Sequence, residues 1–491
     1  MSGNSLSEKS LSGKTNSWKT VVGLEIHAQM STRSKMFCAC VRSTGTAPNQ
    51  HLCPVCAGWP GALPVINQAA VRRAIRAAIS LDCGVQRESR FDRKNYFYPD
   101  LPKGYQISQF YRPYALGGAF QFERDDGSSG VLPLVRIHME EDAGKSVHAE
   151  DGTSRIDLNR CSSPLLEIVT EPLQMSGVEA ARCVRSTREL LRWIGVCDGD
   201  MEKGNLRADV NVSIHREGDT VLGTRTELKN LNSFVSIERS VEVESARQAV
   251  VLEAGGVIRQ ETRLWDQDLE QTEEMRGKED SPDYRYFPDP DLPLLIIESS
   301  DIDRERDSLP ESLGDRRTRY IDQLKVDARD AESILARREF GDFFDQLLAA
   351  GLSPASASNW FRGEVLKHLN DREESIEDYP LTAASIAEVV EAVEGDRISV
   401  AKGREILQAA LDQGCSPAKI LAQTGEQVSD EAALIGWVQQ VVDANPDAAE
   451  KIRAGDSKPL GFLMGQVMKA SSGQAHPRRV QEILQRLIQH D

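Results

Sequence analysis

The chain lacks the long apolar run that a membrane-spanning helix needs. Such a helix takes about 18 or more consecutive apolar residues, and no segment of the 491 residues approaches that length. The opening residues are polar, rich in Ser and Lys, and without the apolar centre of a signal peptide. They predict a disordered N-terminal tail over residues 1–18 and a protein that stays in the cytoplasm, away from membranes.

Positively charged residues are fewer than negatively charged ones. Asp and Glu number 76 against 59 Lys and Arg, which gives a net charge of -17. So acidic a surface repels nucleic acid at long range, and an RNA partner therefore has to meet a local basic patch. One such patch begins near the C-terminus and contains Lys451, Arg453, Lys458, Lys469, Arg478, Arg479 and Arg486. An ordinary solvated face is the alternative interpretation.

Cysteine is present in an odd number, nine, and no export signal precedes it, which argues against a disulfide framework. Four cysteines form two close pairs, Cys38-x-Cys40 and Cys53-x-x-Cys56. Four thiolates satisfy a tetrahedral Zn²⁺ with no open position, so such an ion would be structural. An iron–sulfur cluster and four reduced thiols are the alternatives.

Composition changes twice along the chain. Residues 19–295 alternate short apolar runs with Gly, Pro, Asn and Asp, and predict one large α+β domain that includes a helix over 67–80. Acidic and basic residues then interleave at helical spacing, which predicts a helical domain over residues 296–398. Residues 399–491 predict an all-helical tail domain, with helices over 401–413, 430–445 and 478–489.

The run GLEIHAQ of residues 23–29 predicts a strand with one polar face. Strict alternation places Glu25, His27 and Gln29 on the same side. Same-face neighbours lie about 6.5 to 7 Å apart along a strand, close enough for both side chains to reach one cation. A solvated strand face is the alternative interpretation.

Three consecutive acids, Glu140, Glu141 and Asp142, follow an apolar strand-like run. Adjacent carboxylates repel one another unless a cation or a basic partner lies close by. A divalent ion is the economical partner, and a solvated acidic turn is the alternative. Lys145 follows in a GKS segment, but Met139 stands where a phosphate-binding loop requires glycine, so the match to that loop fails.

Glu167 lies in an otherwise apolar run, PLLEIVTEP, together with Glu171. A carboxylate buried there is costly unless it is paired or ligates a metal, and a salt bridge to Arg160 or to another arginine is the alternative. Carboxylates with the imidazole of His27 form an oxygen-rich donor set. This set suits Mg²⁺ or Mn²⁺ better than Zn²⁺.

The chain also contains longer motifs, which include GLEIHAQ, SKMF, FDRKNYFYPDLPKGYQISQ, RIHMEEDAGK, PLLEIVTEP, GTRTELKNLNSF, DYRYFPDPDLP and GFLMGQVMKASSGQAHP. Through these segments the chain resembles the GatB family, the B subunits of tRNA-dependent aspartate/glutamate amidotransferases. The resemblance covers nearly the whole chain after residue 18. It implies an α+β fold with a cradle-shaped catalytic domain and a mixed or antiparallel sheet, then an all-α helical domain and an all-α YqeY-like tail that contacts tRNA.

The resemblance also implies the chemistry, that of a carbon–nitrogen ligase with glutamine as the amide donor. In the family, ATP and Mg²⁺ are used to phosphorylate the side-chain carboxylate of misacylated Asp-tRNA(Asn) or Glu-tRNA(Gln), and ammonia then displaces the phosphate. An amidase-type A subunit supplies the ammonia, and a small C subunit completes the heterotrimer.

Matching the motifs residue by residue places the family's Mg²⁺ on Glu25, His27, Glu141 and Glu167. The remaining candidates for the catalytic site, of which Lys145 and Arg160 are assigned to ATP, are Glu140, Lys145, Asp157, Asn159 and Arg160. Cys38, Cys40, Cys53 and Cys56 place the chain among the members that carry zinc. One position departs from the family: Ser162 stands where glycine is usual, which a serine occupies comfortably only if its φ is in a common region.

Two other classes of function compete with this interpretation. A zinc-containing RNA-binding module without chemistry would tolerate Glu167→Gln and His27→Ala. A stand-alone ligase would turn over ATP with free aspartate or glutamate in the absence of tRNA. The basic patch and the family resemblance disfavour the stand-alone ligase.

Overall fold

The computed structural model describes residues 18–42, 45–149, 151–275, 283–423, 431–453, 458–471, 475 and 477–490. The predicted N-terminal tail lies outside these ranges except for Trp18. The chain divides into two compact units, the first ending at Glu311 and the second beginning at Ser312. A strand-rich first unit and a helical second unit confirm the α+β prediction, while the three predicted domain boundaries stay predictions.

The first unit consists of a large sheet, smaller sheets and four described helices. Its strands are β1 (Trp18–Gln29), β2 (Gly84–Val85), β3 (Glu88–Ser89), β4 (Asp92–Asn95), β5 (Tyr105–Ser108), β6 (Ala115–Leu116), β7 (Ala119–Glu123), β8 (Ser129–Glu141), β9 (Lys145–His148), β10 (Ser154–Asp157), β11 (Pro164–Thr170), β12 (Leu173–Gln174), β13 (Leu206–Arg216), β14 (Thr226–Lys229), β15 (Thr262–Asp266), β16 (Gln271–Glu274), β17 (Phe287–Pro288) and β18 (Leu295–Ile296). Its helices are α1 (Gln68–Ser80), α2 (Gly177–Trp193), α3 (Phe234–Glu253) and α4 (Ser299–Asp307).

The large sheet has the strand order β16-β15-β14-β13-β1-β11-β8-β6-β2, with β12 also paired to β1 and β7 to β8. Strands β14 and β15 are parallel, and the neighbours of β1 are antiparallel to it. The sheet is therefore mixed, as expected. β1 lies between β13 and β11, so its polar face is flanked on both sides by other strands.

Alternation explains why β1 forms where it does. Leu24, Ile26 and Ala28 are buried almost completely, and α2 and α3 pack near β1 and β13. The side chain of Gln248 on α3 donates to the Val212 carbonyl of β13 at 3.1 Å. The apolar side of these strands thus enters the core, which leaves the side with Glu25 and His27 for polar groups.

Local sequence signals set the helix starts in this unit. Asn67 precedes α1, and its side chain accepts hydrogen bonds from the amides of Ala69 and Ala70. Ser176 and Glu179 form a reciprocal capping box at the start of α2. The helix predicted over residues 67–80 is confirmed to within one residue.

Within its described residues, the second unit consists of helices joined by loops. Its helices are α5 (Leu313–Thr318), α6 (Ala328–Ile334), α7 (Arg338–Ala349), α8 (Pro354–Trp360), α9 (Lys367–Arg372), α10 (Ala383–Glu394), α11 (Val400–Gln413), α12 (Pro417–Gln423), α13 (Glu431–Ala444), α14 (Pro446–Arg453), α15 (Lys458–Ala470) and α16 (Pro477–His490), with π-helical turns over 319–323 and 361–366. Helices α11, α13 and α16 confirm three sequence predictions. Apolar side chains of α13, α15 and α16, including Leu434, Leu463 and Leu484, form one core. No described helix has the length and apolar character needed to cross a membrane.

Candidate metal and catalytic site

Three adjacent strands bring imidazoles and carboxylates into one row. His27 on β1 lies opposite Glu167 on β11, and Glu167 lies opposite His138 on β8. Directly opposed residues of antiparallel strands point to the same face of a sheet. Glu140 follows His138 by two residues, so it shares that face.

The side chains of this row converge closely enough to bind a metal ion. His27, Glu140 and Glu167 each offer a ligand atom, and these atoms lie within 4.8 Å of one another. Nδ1 of His27 lies 3.6 Å from Oε1 of Glu140 and 3.9 Å from Oε2 of Glu167. Two carboxylates and one imidazole form a donor set that fits Mg²⁺ or Mn²⁺.

His138 is a fourth member of the row that the sequence interpretation did not single out. Its Nε2 lies 3.0 Å from Oε2 of Glu167 and 3.6 Å from Oε2 of Glu140. The segment RIHMEE carried a signal for it, because His138 and Glu140 have the same strand parity. Arg160, the alternative partner considered for Glu167, lies instead 3.7 Å from Asp142.

The electrostatics of the row favour ionised carboxylates. Burial lowers the pKa of His138, but Glu167 and Glu140 more than offset this effect and raise it to about 9. Burial raises the pKa of Glu167, yet His138 brings it down to about 2. Against the same burial, His138 and His27 hold the pKa of Glu140 well below its usual range. Glu140, which is buried, and Glu167, which is half-buried, therefore stay charged and require positive charge beside them.

Glu25 lies on the same face but outside this group of three. Its Oε1 accepts a hydrogen bond from Nδ2 of Asn211 at 3.2 Å. Burial, together with Glu167 and Glu227, raises its pKa. Glu25 therefore holds a proton more readily than Glu140 and Glu167 do.

Glu141 does not reach the row. It shares strand parity with Ile137 and Met139, both fully buried, and so its side chain leaves β8 on the opposite side from Glu140. Matching acids by motif assigned the metal to Glu141. The pleat of the strand presents Glu140 instead.

The carboxylate of Glu141 is occupied by three other groups. It forms an ion pair with Lys103, and the amide of Ile107 donates to Oε1 at 3.0 Å. The hydroxyl of Ser162 donates to Oε2 at 2.7 Å. Ser162 has a φ of +65°, in the left-handed region that favours glycine, so the departure from the family at this position places a strained serine against Glu141.

Asn159 and Arg160 lie in the loop that follows β10, and Asp157 is the last residue of β10. Arg160 donates to the carbonyls of Ala143 and Gly144, at 2.9 and 2.5 Å. Oδ1 of Asp157 accepts from the amides of Asn49 and Asn159. These contacts hold the loop that follows β8 and the loop that follows β10.

Lys145 is exposed on β9, opposite Asp157 in the β9–β10 ribbon. Asp157 does not belong to the group of possible ligands formed by His27, Glu140 and Glu167. Because Lys145 is exposed, its ammonium group is accessible to a phosphate group of a ligand.

Lys94 is a half-buried cation whose charge interacts with Glu140 and Glu167, and motif matching missed it. It lies on β4, and its Nζ is 4.8 Å from the ring centroid of Tyr284. Burial lowers its pKa, but Glu140, Tyr286 and Glu167 raise it overall. No spacing rule marked it, because β4 belongs to a separate sheet with β5 and β17.

The four cysteines of the two predicted pairs come together. The sulfur atoms of Cys38, Cys40, Cys53 and Cys56 lie within 4.8 Å of one another. The Cys38 thiol donates a hydrogen bond to the sulfur of Cys56. This bond lowers the pKa of Cys56 to about 4, although burial raises it. Four cysteine sulfurs at this spacing can ligate a metal ion such as zinc.

Comparison with known proteins decides the family. Residues 20–303 match the GatB/GatE catalytic domain, and residues 342–488 match the GatB domain that carries the YqeY-type tail. The chain belongs to the GatB family. The row of His27, Glu140 and Glu167 therefore lies inside the catalytic domain of a GatB protein.

Relatives of similar length support the assignment. Proteins of Solidesulfovibrio magneticus and Persephonella marina are each 44% identical over 473 residues, 96% of this chain and 99% of the relative. A protein of Anaeromyxobacter sp. is 44% identical over 478 residues, again 96% of this chain and 99% of the relative. All three are named as the B subunit of aspartyl/glutamyl-tRNA(Asn/Gln) amidotransferase. This GatB chain is thus a component of a carbon–nitrogen ligase, as expected.

Proposed function

We propose that this GatB chain activates the side-chain carboxylate of Asp-tRNA(Asn), Glu-tRNA(Gln) or both by phosphoryl transfer at the row of His27, Glu140 and Glu167. The convergence of their ligand atoms within 4.8 Å carries the proposal. A bound Mg²⁺ would neutralise charge on the phosphate oxygens of ATP. The protein would supply the positions of the reacting groups.

The proposed reaction has two steps. An oxygen of the side-chain carboxylate attacks the γ-phosphorus of ATP, which releases ADP and forms an acyl phosphate. Ammonia then attacks the acyl carbon, and inorganic phosphate leaves with that carboxylate oxygen. The ammonia nitrogen loses a proton as the amide forms, and we assign Glu25 to accept it because its pKa is raised.

Positive side chains around the row take part in this proposal. Lys94 is half-buried and its charge interacts with Glu140 and Glu167, so its ammonium is assigned to the transferring phosphoryl group. Exposed Lys145 is assigned to outer phosphates or to the tRNA terminus. Arg160 is assigned to hold the loop around Ala143 and Gly144, which makes its effect on ATP indirect.

The partners follow from the same proposal. An A subunit would hydrolyse glutamine and deliver ammonia, and a C subunit would complete the heterotrimer. The basic C-terminal patch would meet the tRNA backbone through lysine and arginine side chains. Zinc at the four cysteines would have a structural role.

The test is a reconstituted assay with the A and C subunits, glutamine, ATP, Mg²⁺ and each misacylated tRNA in turn. Amidated aminoacyl-tRNA is expected. Glu167→Gln should abolish transfer while tRNA binding persists, and Glu171→Gln, at an exposed position just beyond β11, is the matched control that should retain transfer. An assembly that hydrolyses glutamine yet forms no amidated aminoacyl-tRNA would refute the proposal.

A further inference from the structure

Lys35 is a charged side chain with no exposure to solvent. Its Nζ donates to the carbonyls of His51 and Leu158, at 2.9 and 3.3 Å, and lies 3.6 Å from Sγ of Cys56. A buried ammonium is costly unless negative charge lies close by. Four thiolates around one divalent ion leave an excess of negative charge, so Lys35 is placed to offset a metal-loaded cysteine cluster.

A second set of contacts joins the cysteine segment to the loop after β10. The side chain of Asn49 donates to the Ile156 carbonyl and accepts from the Leu158 amide, each at 2.8 Å. The Asn159 side chain accepts from the His51 amide at 2.9 Å and donates to the Ala47 carbonyl at 2.8 Å. We call these four hydrogen bonds of the Asn49 and Asn159 side chains the clasp. The clasp fixes residues 156–159 against residues 47–51.

The same loop is hydrogen-bonded to the residue that follows β8. The Met36 amide donates to the Ser162 carbonyl at 2.7 Å, and the Ser162 amide donates to the Asp142 carbonyl at 2.8 Å. The Asp142 amide donates to the Ser163 carbonyl, also at 2.8 Å. Asp142 in turn accepts from Gln29, whose Nε2 lies 2.6 Å from its Oδ2. An unbroken chain of bonds thus leads from the cysteine segment to β8 and β1.

We propose that Lys35 and the clasp transmit metal binding at the cysteine cluster to the loop of residues 157–163, and that this loop positions the end of β8 for catalysis. Lys35 is a positioning residue, because it touches the cluster and the loop but not the row. Only the effect on catalysis rests on the proposed function. The effect on the loop stands on the contacts alone.

The experiment measures zinc content and backbone hydrogen exchange of the full chain in its heterotrimer, before and after the thiolate-bound metal is removed by a chelator. Removal should speed exchange over residues 157–163 by at least 10-fold while the amides of β13 keep their protection. Lys35→Met keeps most of the side-chain volume without the charge, and it should release zinc to the chelator at least 10-fold faster. Lys19→Met, at the N-terminal end of β1 and half-exposed, is the control lysine and should behave like the wild type.

A second variant tests the same proposal without altering Lys35, in case Lys35→Met disturbs the local fold. Asn49→Gly removes both side-chain bonds and suits the φ of +60° at this position, while the cysteines and Lys35 remain. It should retain zinc, exchange faster over residues 157–159, and lower kcat for transamidation with little change in the KM for glutamine.

Wild-type protection of residues 157–163 after zinc removal would overturn the proposal. Protein purified without zinc but with this loop protected would overturn it as well. Neither measurement depends on phosphoryl transfer, so failure of the proposed function would appear separately, as absent transfer with the exchange differences intact.

Discussion

Neighbouring carboxylates, Glu140 and Glu141, should respond in opposite ways to the same substitution. Glu140→Gln removes a charged ligand from the row with His27 and Glu167. Glu141→Gln leaves the row untouched and deprives buried Lys103 of its ion-pair partner. The first change should therefore impair metal binding, and the second should impair stability.

The magnitudes follow from burial. Lys103 and Glu141 have side-chain exposures of 6% and 1%, and breaking a buried ion pair by removing one partner costs about 3 to 5 kcal/mol. Glu140→Gln keeps an amide in place and leaves Glu167 to pair with His138, so a smaller stability loss of about 1 to 2 kcal/mol is expected. Loss of a partner around a metal ligand weakens binding about 10- to 100-fold, and loss of the ligand itself should cost at least about 100-fold.

Two assays on each variant separate the effects. Mn²⁺ binding followed by calorimetry reports the metal site, and thermal unfolding followed by circular dichroism reports stability. Glu140→Gln should lose Mn²⁺ affinity with a modest change in Tm, whereas Glu141→Gln should keep the affinity and lower Tm by about 6 °C or more. Loss of Mn²⁺ affinity in Glu141→Gln with unchanged affinity in Glu140→Gln would refute the assignment from strand parity.

Three further predictions concern charge. His27 must be neutral to bind a metal ion. Burial lowers its pKa, but Glu140 and Glu167 raise it overall, so Mn²⁺ affinity should rise as the pH increases above about 6.5. A flat profile in titrations from pH 6 to 9 would contradict this. The pKa of Glu244 is lowered because Arg247 and Gln248 outweigh burial, so its stabilisation is present above about pH 4.5 and lost as the pH falls through the folded-state value. Glu244→Gln should flatten acid unfolding curves between about pH 5 and 3, and an unchanged curve would exclude this role. Lys94→Met should lower kcat about 100-fold in the reconstituted assay, and wild-type turnover would remove Lys94 from the site.

Strand parity made half of the candidate site predictable from sequence. The polar face of β1 was predicted because alternation has a fixed period of two, and the burial of Leu24 and Ile26 confirms it. The same rule applied to RIHMEE would have selected His138 and Glu140. The three consecutive acids left the choice among Glu140, Glu141 and Asp142 open, and matching the family's motifs then assigned the metal to Glu141.

Contacts between distant segments could not be predicted. Asn49 and Leu158 are separated by 109 positions, and no periodicity relates two loops. Lys94 lies on a strand of another sheet. The residues next to it in sequence do not indicate that its charge interacts with Glu140 and Glu167. Ser162 could be recognised as unusual, but its bond to Glu141 depends on a backbone conformation that only the structure shows.

The fate of the carboxylate oxygen tests phosphoryl transfer most directly. Misacylated tRNA whose side-chain carboxylate carries ¹⁸O would be converted by the reconstituted heterotrimer with ATP, Mg²⁺ and glutamine, and the released inorganic phosphate analysed by mass spectrometry. Activation as an acyl phosphate predicts one ¹⁸O atom in each phosphate formed with the amide. Amidated tRNA accompanied by phosphate without ¹⁸O would contradict it.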